Sequence, residues 1–196
     1  MADEDIRSFI AIGLPAGLVK QLRDFQAGLK LPGEQPAKWV DPGSMHLTLK
    51  FLGNVGVKRL PAVRDEINAA VGSSGRFELL TGSTGFFPDH RKPRVFWLGL
   101  EGDTRALAML QKAIDEAMWR LGFAREGRPF TAHLTLARLK DESSINQRAE
   151  FVRSVQSRVF EPACAIDVSS VVLMRSQLTA GGAIYTRLAE FGLPGA

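Results

Sequence analysis

The chain has 196 residues, 45% of them hydrophobic, so it can bury a sizeable core as one domain or two closely packed lobes. Its 25 lysines and arginines exceed its 21 acidic residues, and the net charge of +4 mildly favours an anionic partner. No stretch approaches membrane-spanning length and no basic tail is present, which argues against a membrane-embedded protein and a DNA-coating arm. We expect a soluble, cytoplasmic monomer. The single cysteine, Cys164, excludes an internal disulfide and reads as a small core residue.

The first half of the chain predicts strands alternating with helices. Alternating apolar residues predict strands over 8–14, 45–53, 77–85 and 95–100. Apolar residues at three- and four-residue spacing predict two helices, one from residue 18 to a Leu-Pro-Gly stop signal at 31–33 and one over 60–71.

The second half repeats this order. It predicts a helix over 107–121, a strand over 133–139, a helix over 145–159, and strands over 166–175 and 183–191 joined by a turn containing Gly181 and Gly182. Phe9 and Phe96 each precede the histidine of their half, His46 or His133, by 37 residues, so the halves share a frame. We therefore predict one α+β domain over residues 1–196. It consists of two interleaved, similar lobes related by the repeat, each a largely antiparallel sheet packed with helices, with a cleft between them.

One tetrapeptide occurs twice, as His46-Leu47-Thr48-Leu49 and His133-Leu134-Thr135-Leu136, and uses two of the three histidines. Residues two apart on a strand share a face, so each histidine points with its threonine while the leucines face the core. One imidazole can donate a proton while the other accepts one at neutral pH, and threonine hydroxyls can donate to phosphate oxygens. The pattern predicts a catalytic set of His46, His133, Thr48 and Thr135 that cleaves a strained cyclic phosphodiester without a metal ion or other cofactor.

Two other interpretations use the same residues. Surface strands could carry histidine and threonine for β propensity alone, although the duplication at matched positions disfavours this. A zinc site needs at least three protein ligands, and no Asp or Glu stands at a ligand spacing from either histidine. His90 reads as a loop residue, so we predict no metal site.

Further motifs accompany the tetrapeptides: Trp39, Lys50-Phe51-Leu52-Gly53, Arg128-Pro129-Phe130, Ala137-Arg138 and Tyr185. Together they resemble the two-histidine (2H) phosphoesterase superfamily and, within it, the RNA 2',3'-cyclic phosphodiesterase branch, also called LigT-like and formerly 2'-5' RNA ligase. The resemblance implies a bilobal α+β fold with pseudo-twofold symmetry and the active site in the central cleft. It also implies that His46 protonates the departing 3' oxygen and His133 activates water, leaving a 2'-phosphate end. From sequence alone the two roles could be exchanged, because the halves are alike.

Phe51 and Arg138 each lie five residues after their histidine, and the resemblance suggests that they bind a nucleobase between them. An aromatic ring and a guanidinium both stack on bases. Five is odd, so strict alternation puts both residues on the face opposite the histidines unless the strand twists or bulges. The interpretation of Phe51 as a core aromatic residue therefore remains open. By the same parity Lys50 shares the histidine face, where it meets either RNA phosphate or solvent.

The segment 86–94 combines two phenylalanines with Arg91, Lys92 and Arg94, and it either guides a single RNA strand into the cleft or forms a plain solvated loop. The leading function is hydrolysis of the terminal 2',3'-cyclic phosphate of RNA. One alternative is a phosphodiesterase of small cyclic or 2'-5'-linked nucleotides, and another is a reversible 2'-5' RNA ligase. A different class is a non-catalytic RNA-binding module. The expected partner is RNA with a cyclic phosphate end or a small cyclic nucleotide, and no membrane.

Overall fold

A computed structural model describes residues 4–29, 36–127, 129–179 and 182–195. The elements in these ranges follow the order β1 (Asp5–Ile12), α1 (Ala16–Leu29), β2 (Ala37–Trp39), β3 (Leu47–Gly56), α2 (Leu60–Gly72), β4 (Phe77–Phe87), β5 (Val95–Gly102), α3 (Thr104–Arg120), β6 (His133–Leu139), α4 (Ile145–Val155), β7 (Ala165–Val168), β8 (Ser170–Thr179) and β9 (Gly182–Gly192). The predicted helix stop at 31–33, Arg128 and Gly181 lie outside the described residues. None of the described helices is long and apolar enough to cross a membrane.

The strands form two sheets, one in each lobe. The strand orders are β3-β1-β8-β9 and β2-β6-β5-β4-β7, and every pairing between the described strands is antiparallel. Each sheet carries one of the two histidine segments, because β3 begins directly after His46 and β6 begins at His133. The predicted two-lobe α+β fold with antiparallel sheets is confirmed.

The strand predicted over 166–175 is wrong, because the structure divides it between the two sheets. β7 pairs with β4 in the five-stranded sheet, whereas β8 pairs with β1 and β9 in the four-stranded sheet. The chain crosses between the lobes at Ser169. Both sides of the crossing contain buried strand residues, so local hydrophobicity shows no break there.

The alignment of the two halves predicted from sequence, which matched Phe9 with Phe96, is wrong by one residue in β1. Lys50 and Ala137, which each follow their histidine by four residues, pair with Ile10 and Phe96. The counterpart of Phe96 is therefore Ile10, and both side chains are fully buried in the core. Phe9 belongs to a separate small cluster on the other face of its sheet. The equal spacing of Phe9 and Phe96 from their histidines therefore does not mean that the two residues occupy equivalent positions in the two sheets.

α1 and α3 each use a buried glutamine to contact the sheet that does not contain the strand preceding the helix. α1 follows β1 of the four-stranded sheet, yet its Gln26 donates a hydrogen bond to Leu136 in β6. α3 follows β5 of the five-stranded sheet, yet its Gln111 donates to Leu49 in β3. Hydrogen bonds from these helices therefore link the two lobes, and each histidine strand receives one from a helix of the other half of the repeat.

Candidate active site

A cavity of about 470 Å³, here called the histidine cavity, has walls from both sheets. Its lining includes every side chain predicted for the site: His46, Thr48, Phe51, His133, Thr135 and Arg138. Phe9, Ser176 and Tyr185 complete much of the wall on the side of the four-stranded sheet. The structure therefore brings together two motifs that lie 87 residues apart in the sequence.

A β-bulge in each histidine strand explains how Phe51 and Arg138 reach this cavity. The pairing of β3 with β1 skips Leu49, and the pairing of β6 with β5 skips Leu136. Each bulge residue follows its histidine by three positions. An extra residue reverses the alternation of side chains, so the residue five positions after each histidine returns to the histidine face. Phe51 is 60% exposed, which shows that the core-aromatic interpretation is wrong.

The same bulge turns Lys50 away from the cavity. Its side chain is 1% exposed, and its Nζ donates to Asp115 Oδ1 at 2.5 Å and to the Ala124 carbonyl at 2.7 Å. Both interpretations of Lys50 from sequence, contact with RNA phosphate and exposure to solvent, are wrong. They assumed an unbroken alternation that the bulge at Leu49 interrupts.

Two buried glutamines hold the bulges in place. Gln26 Nε2 donates to the carbonyls of Leu136 and Val40, both at 3.0 Å, and Gln111 Nε2 donates to the carbonyl of Leu49 at 3.4 Å. A buried carbonyl is costly unless a donor satisfies it. These residues were not predicted from sequence. The sequence offered one indication of them, because a glutamine lies among the apolar residues that form the buried face of α1 and of α3.

Both histidines are held through the same nitrogen. Nδ1 of His46 lies 2.9 Å from the Ser44 carbonyl, and Nδ1 of His133 lies 2.8 Å from the Thr131 carbonyl. A carbonyl oxygen only accepts hydrogen bonds, so Nδ1 carries the proton in each ring. Nε2 is then the nitrogen that remains for substrate. The two imidazoles are presented in the same tautomer, each by the residue two positions before it.

Aromatic rings contact both imidazoles. His46 stacks on Phe9 with ring centroids 4.5 Å apart and meets the ring of Tyr185 edge-on at 5.0 Å. His133 meets Phe87 edge-on at 4.9 Å. The contacts with Phe9 and Phe87 were not predicted from sequence, because they depend on sheet register and on the end of β4. All three residues belong to motifs that the sequence shares with the family, but the motifs do not show that their rings contact the histidines.

The surroundings hold the pKa of both histidines below their ordinary value of 6.5. Burial is the main cause, since it disfavours the charged imidazolium, and the positive charge of Arg138 lowers both pKa values further. The hydrogen bonds to the backbone carbonyls partly oppose this shift. Both rings are therefore mainly neutral at pH 7, and a bound anion would favour protonation of one of them.

The family model of the LigT like Phosphoesterases matches the chain twice, over residues 12–97 and over 98–185. Each match contains one histidine motif. The chain belongs to this family.

This phosphoesterase is 34% identical over 188 residues to the RNA 2',3'-cyclic phosphodiesterase of Methanothermobacter thermautotrophicus, covering 96% of the chain and 99% of the relative. It is 30% identical to the enzyme of the same name from Archaeoglobus fulgidus, covering 95% of the chain and 99% of the relative. Among solved structures it resembles E. coli LigT complexed with 3'-AMP, with a TM-score of 0.79, 26% identity, and coverage of 97% of this chain and 99% of that one. The protein is an enzyme of the phosphoesterase class.

Proposed function

We propose that this phosphoesterase hydrolyses the terminal 2',3'-cyclic phosphate of RNA to a 2'-phosphate end, with His46 as proton donor, His133 as proton acceptor and no metal ion. The observation that carries the proposal is the histidine cavity, which collects two imidazoles of one tautomer and two threonines. Arg7 and Arg138 also line it, and none of the described lining residues is a carboxylate. Such a lining suits an anionic phosphodiester better than a metal cation. Both relatives are named RNA 2',3'-cyclic phosphodiesterase, which supports the same substrate.

In the proposed reaction the phosphorus lies between the imidazoles, and Thr48 and Thr135 donate hydrogen bonds to its non-bridging oxygens. The negative charge of the diester stabilises protonated His46. A water oxygen forms a bond to phosphorus as neutral His133 accepts the water proton at Nε2. The bond between phosphorus and O3' breaks, and O3' takes the proton from Nε2 of His46. The product is a 2'-phosphate, and solvent restores the two protonation states.

Phe51 and Arg138 are proposed to bind the base of the terminal nucleotide between them. Phe51 is 60% exposed and Arg138 is exposed, so both can offer a flat surface to a base. The cavity volume of about 470 Å³ falls within the usual range for small-ligand sites. That volume favours a second candidate, a phosphodiesterase of small cyclic or 2'-5'-linked nucleotides. Because one chain supplies both histidines, we propose that the enzyme acts as a monomer, and we place it in the cytoplasm.

The decisive experiment incubates purified protein with an RNA oligonucleotide ending in a 2',3'-cyclic phosphate, in EDTA, and identifies the phosphate position in the product. His46→Ala and His133→Ala should each lower kcat by about 10²–10⁴-fold, the usual contribution of a general acid or base. Both variants should still bind an oligonucleotide with a 2'-phosphate end, which controls for folding. Near-full turnover by either variant would contradict the histidine mechanism. Binding by the wild type without turnover would favour the non-catalytic module, and joining of ends would favour the ligase.

A substrate with a better leaving group distinguishes which histidine acts as the general acid and which acts as the general base. A nitrophenyl phosphodiester releases an anion that needs little protonation, so loss of the general acid matters less for it than for RNA. His46→Ala should therefore recover much of its lost activity on the nitrophenyl ester, whereas His133→Ala should not. The opposite pattern would exchange the two roles.

A further inference from the structure

A second cavity of about 1020 Å³, here called the basic groove, lies beside the histidine cavity. Its charged lining consists of four cations and one acid among the described residues: Arg91, Lys92, Arg94, Arg148 and Asp141. Its apolar lining includes Phe87, Pro88 and Ile145, and the side chain of Ile145 is 84% exposed. The basic groove therefore combines positive charge with exposed apolar surface, the two features that proteins use to bind single-stranded nucleic acid.

The basic groove adjoins the histidine cavity on the side of His133. Phe87 lines the basic groove, and its ring lies edge-on to His133 at 4.9 Å between centroids. Val95 also lines the basic groove and pairs across the sheet with Arg138, which lines the histidine cavity. A chain leaving the histidine cavity past His133 and Arg138 would enter the basic groove directly.

The loop that carries the cations between β4 and β5 is held in a fixed turn. Asp89 Oδ1 accepts the backbone N–H groups of Arg91 at 2.7 Å and Lys92 at 3.0 Å, and these hydrogen bonds lower the pKa of Asp89. The Arg94 N–H donates to the Phe87 carbonyl at 2.8 Å and closes the loop. Within the described ranges neither Arg91 nor Lys92 forms an ion pair, and both side chains are exposed.

Arg148 differs from the cations of the loop. Its guanidinium donates to the backbone carbonyls of Pro93, Ser143 and Lys140, so it builds the wall of the basic groove. Arg91 and Lys92 are therefore the side chains to test as contacts for a ligand.

We infer that the basic groove binds the RNA strand 5' of the terminal cyclic phosphate, so that the enzyme prefers oligonucleotides to mononucleotides. The inference rests on the proposed function, because it extends the same substrate beyond the histidine cavity. Arg91, Lys92 and Arg94 would meet the phosphates of the upstream nucleotides, and bases would lie on Phe87 and Ile145. A mononucleotide, which has no upstream phosphates, gains nothing from these contacts.

The test compares kcat/KM for 2',3'-cyclic AMP with kcat/KM for a pentaadenylate that ends in a 2',3'-cyclic phosphate. The wild type should prefer the pentaadenylate by about 10-fold or more at low salt, and the preference should shrink as salt rises. Arg91→Glu combined with Lys92→Glu should abolish the preference and leave kcat/KM for cyclic AMP within about 2-fold of the wild type. The control is Arg105→Glu with Lys112→Glu, two exposed cations of α3 outside the linings of both cavities, which carries the same charge change and should keep the preference.

The outcomes separate the inference from the proposed function. If the wild type turns over both substrates without preferring the pentaadenylate, the inference is overturned and the proposed function stands. The same holds if the loop variant loses activity on both substrates equally, or if the control variant loses the preference as well. If the wild type turns over neither substrate, both fail. Equal thermal unfolding midpoints of the variants would show that the loop changes leave the fold intact.

Discussion

Replacing Lys50 with methionine tests whether this lysine stabilises the fold as a buried residue or contacts RNA. A lysine that meets phosphate would raise KM in a salt-dependent way when removed, with little effect on stability. In the structure only 1% of the Lys50 side chain is exposed, and its ammonium lies 2.5 Å from Asp115 and 2.7 Å from the Ala124 carbonyl. Methionine keeps most of the length of the side chain and removes its charge. Asp115, 13% exposed, would then retain only the Glu126 N–H at 3.3 Å as a hydrogen-bond donor among the described residues.

Removing one partner of a buried ion pair costs about 3–5 kcal/mol, because the other charge stays buried without compensation. That is a large part of a folding free energy of about 5–15 kcal/mol. For a chain of this size each kcal/mol lowers the thermal midpoint by about 2–4 °C, so Lys50→Met should lower it by roughly 6–20 °C. Adding Asp115→Leu removes the stranded charge and should restore part of the loss.

Urea unfolding of both single variants and the double variant measures these free energies, and Lys112→Met, an exposed lysine of α3, serves as the control. KM for a cyclic-phosphate oligonucleotide, measured well below the unfolding midpoint, should stay close to that of the wild type. The reasoning is refuted if Lys50→Met unfolds within about 0.5 kcal/mol of the wild type, the range of surface substitutions, while its KM rises.

Three further predictions concern the site and its support. Arg138→Gln should move the pH profile of kcat/KM to higher pH, because the positive charge of Arg138 lowers the pKa of both histidines and its removal makes each ring easier to protonate. A profile that stays in place contradicts this, whatever its height. Phe51→Ala should raise KM by about 5–150-fold through the loss of one base stack, and an unchanged KM would show that Phe51 does not contact the base. Gln26→Met should cost more stability than Gln111→Met, because it removes two hydrogen bonds of 3.0 Å instead of one of 3.4 Å, each worth about 1 kcal/mol. Urea unfolding, with the exposed Gln156→Met as control, tests that order.

The duplicated tetrapeptide was enough to predict which four side chains share a cavity. Over the three residues from a histidine to its threonine, strand alternation is reliable, because no irregularity intervenes. Beyond Leu49 and Leu136 it fails, and nothing in the local sequence marks these leucines as bulges. The bulges depend on pairing with β1 and β5 and on hydrogen bonds from distant glutamines. A parity argument along one strand could not include those partners.

Most helices and strands were predictable from local apolar spacing, but the short strand β2 (Ala37–Trp39) was not predicted, and neither was the assignment of strands to sheets. Apolar spacing predicted the buried stripe of α3, where Leu107, Leu110 and Ile114 face the core. The same spacing could not show that the segment 166–175 changes sheets at Ser169. Sheet membership depends on pairs far apart in the chain, such as β7 with β4 and β8 with β1. Local hydrophobicity contains no information about those partners.

The repeat accounts for the pair of histidines but not for a difference between them. Each imidazole has the same tautomer, a backbone acceptor two residues earlier and a bulge three residues later. Their neighbours differ, because His46 contacts Phe9 and Tyr185 whereas His133 contacts Phe87 at the edge of the basic groove. An acid and a base need different surroundings, since each role requires a different protonation state. The proposed division of roles must therefore arise from the parts of the chain outside the duplicated motifs, which is why the motifs alone left it open.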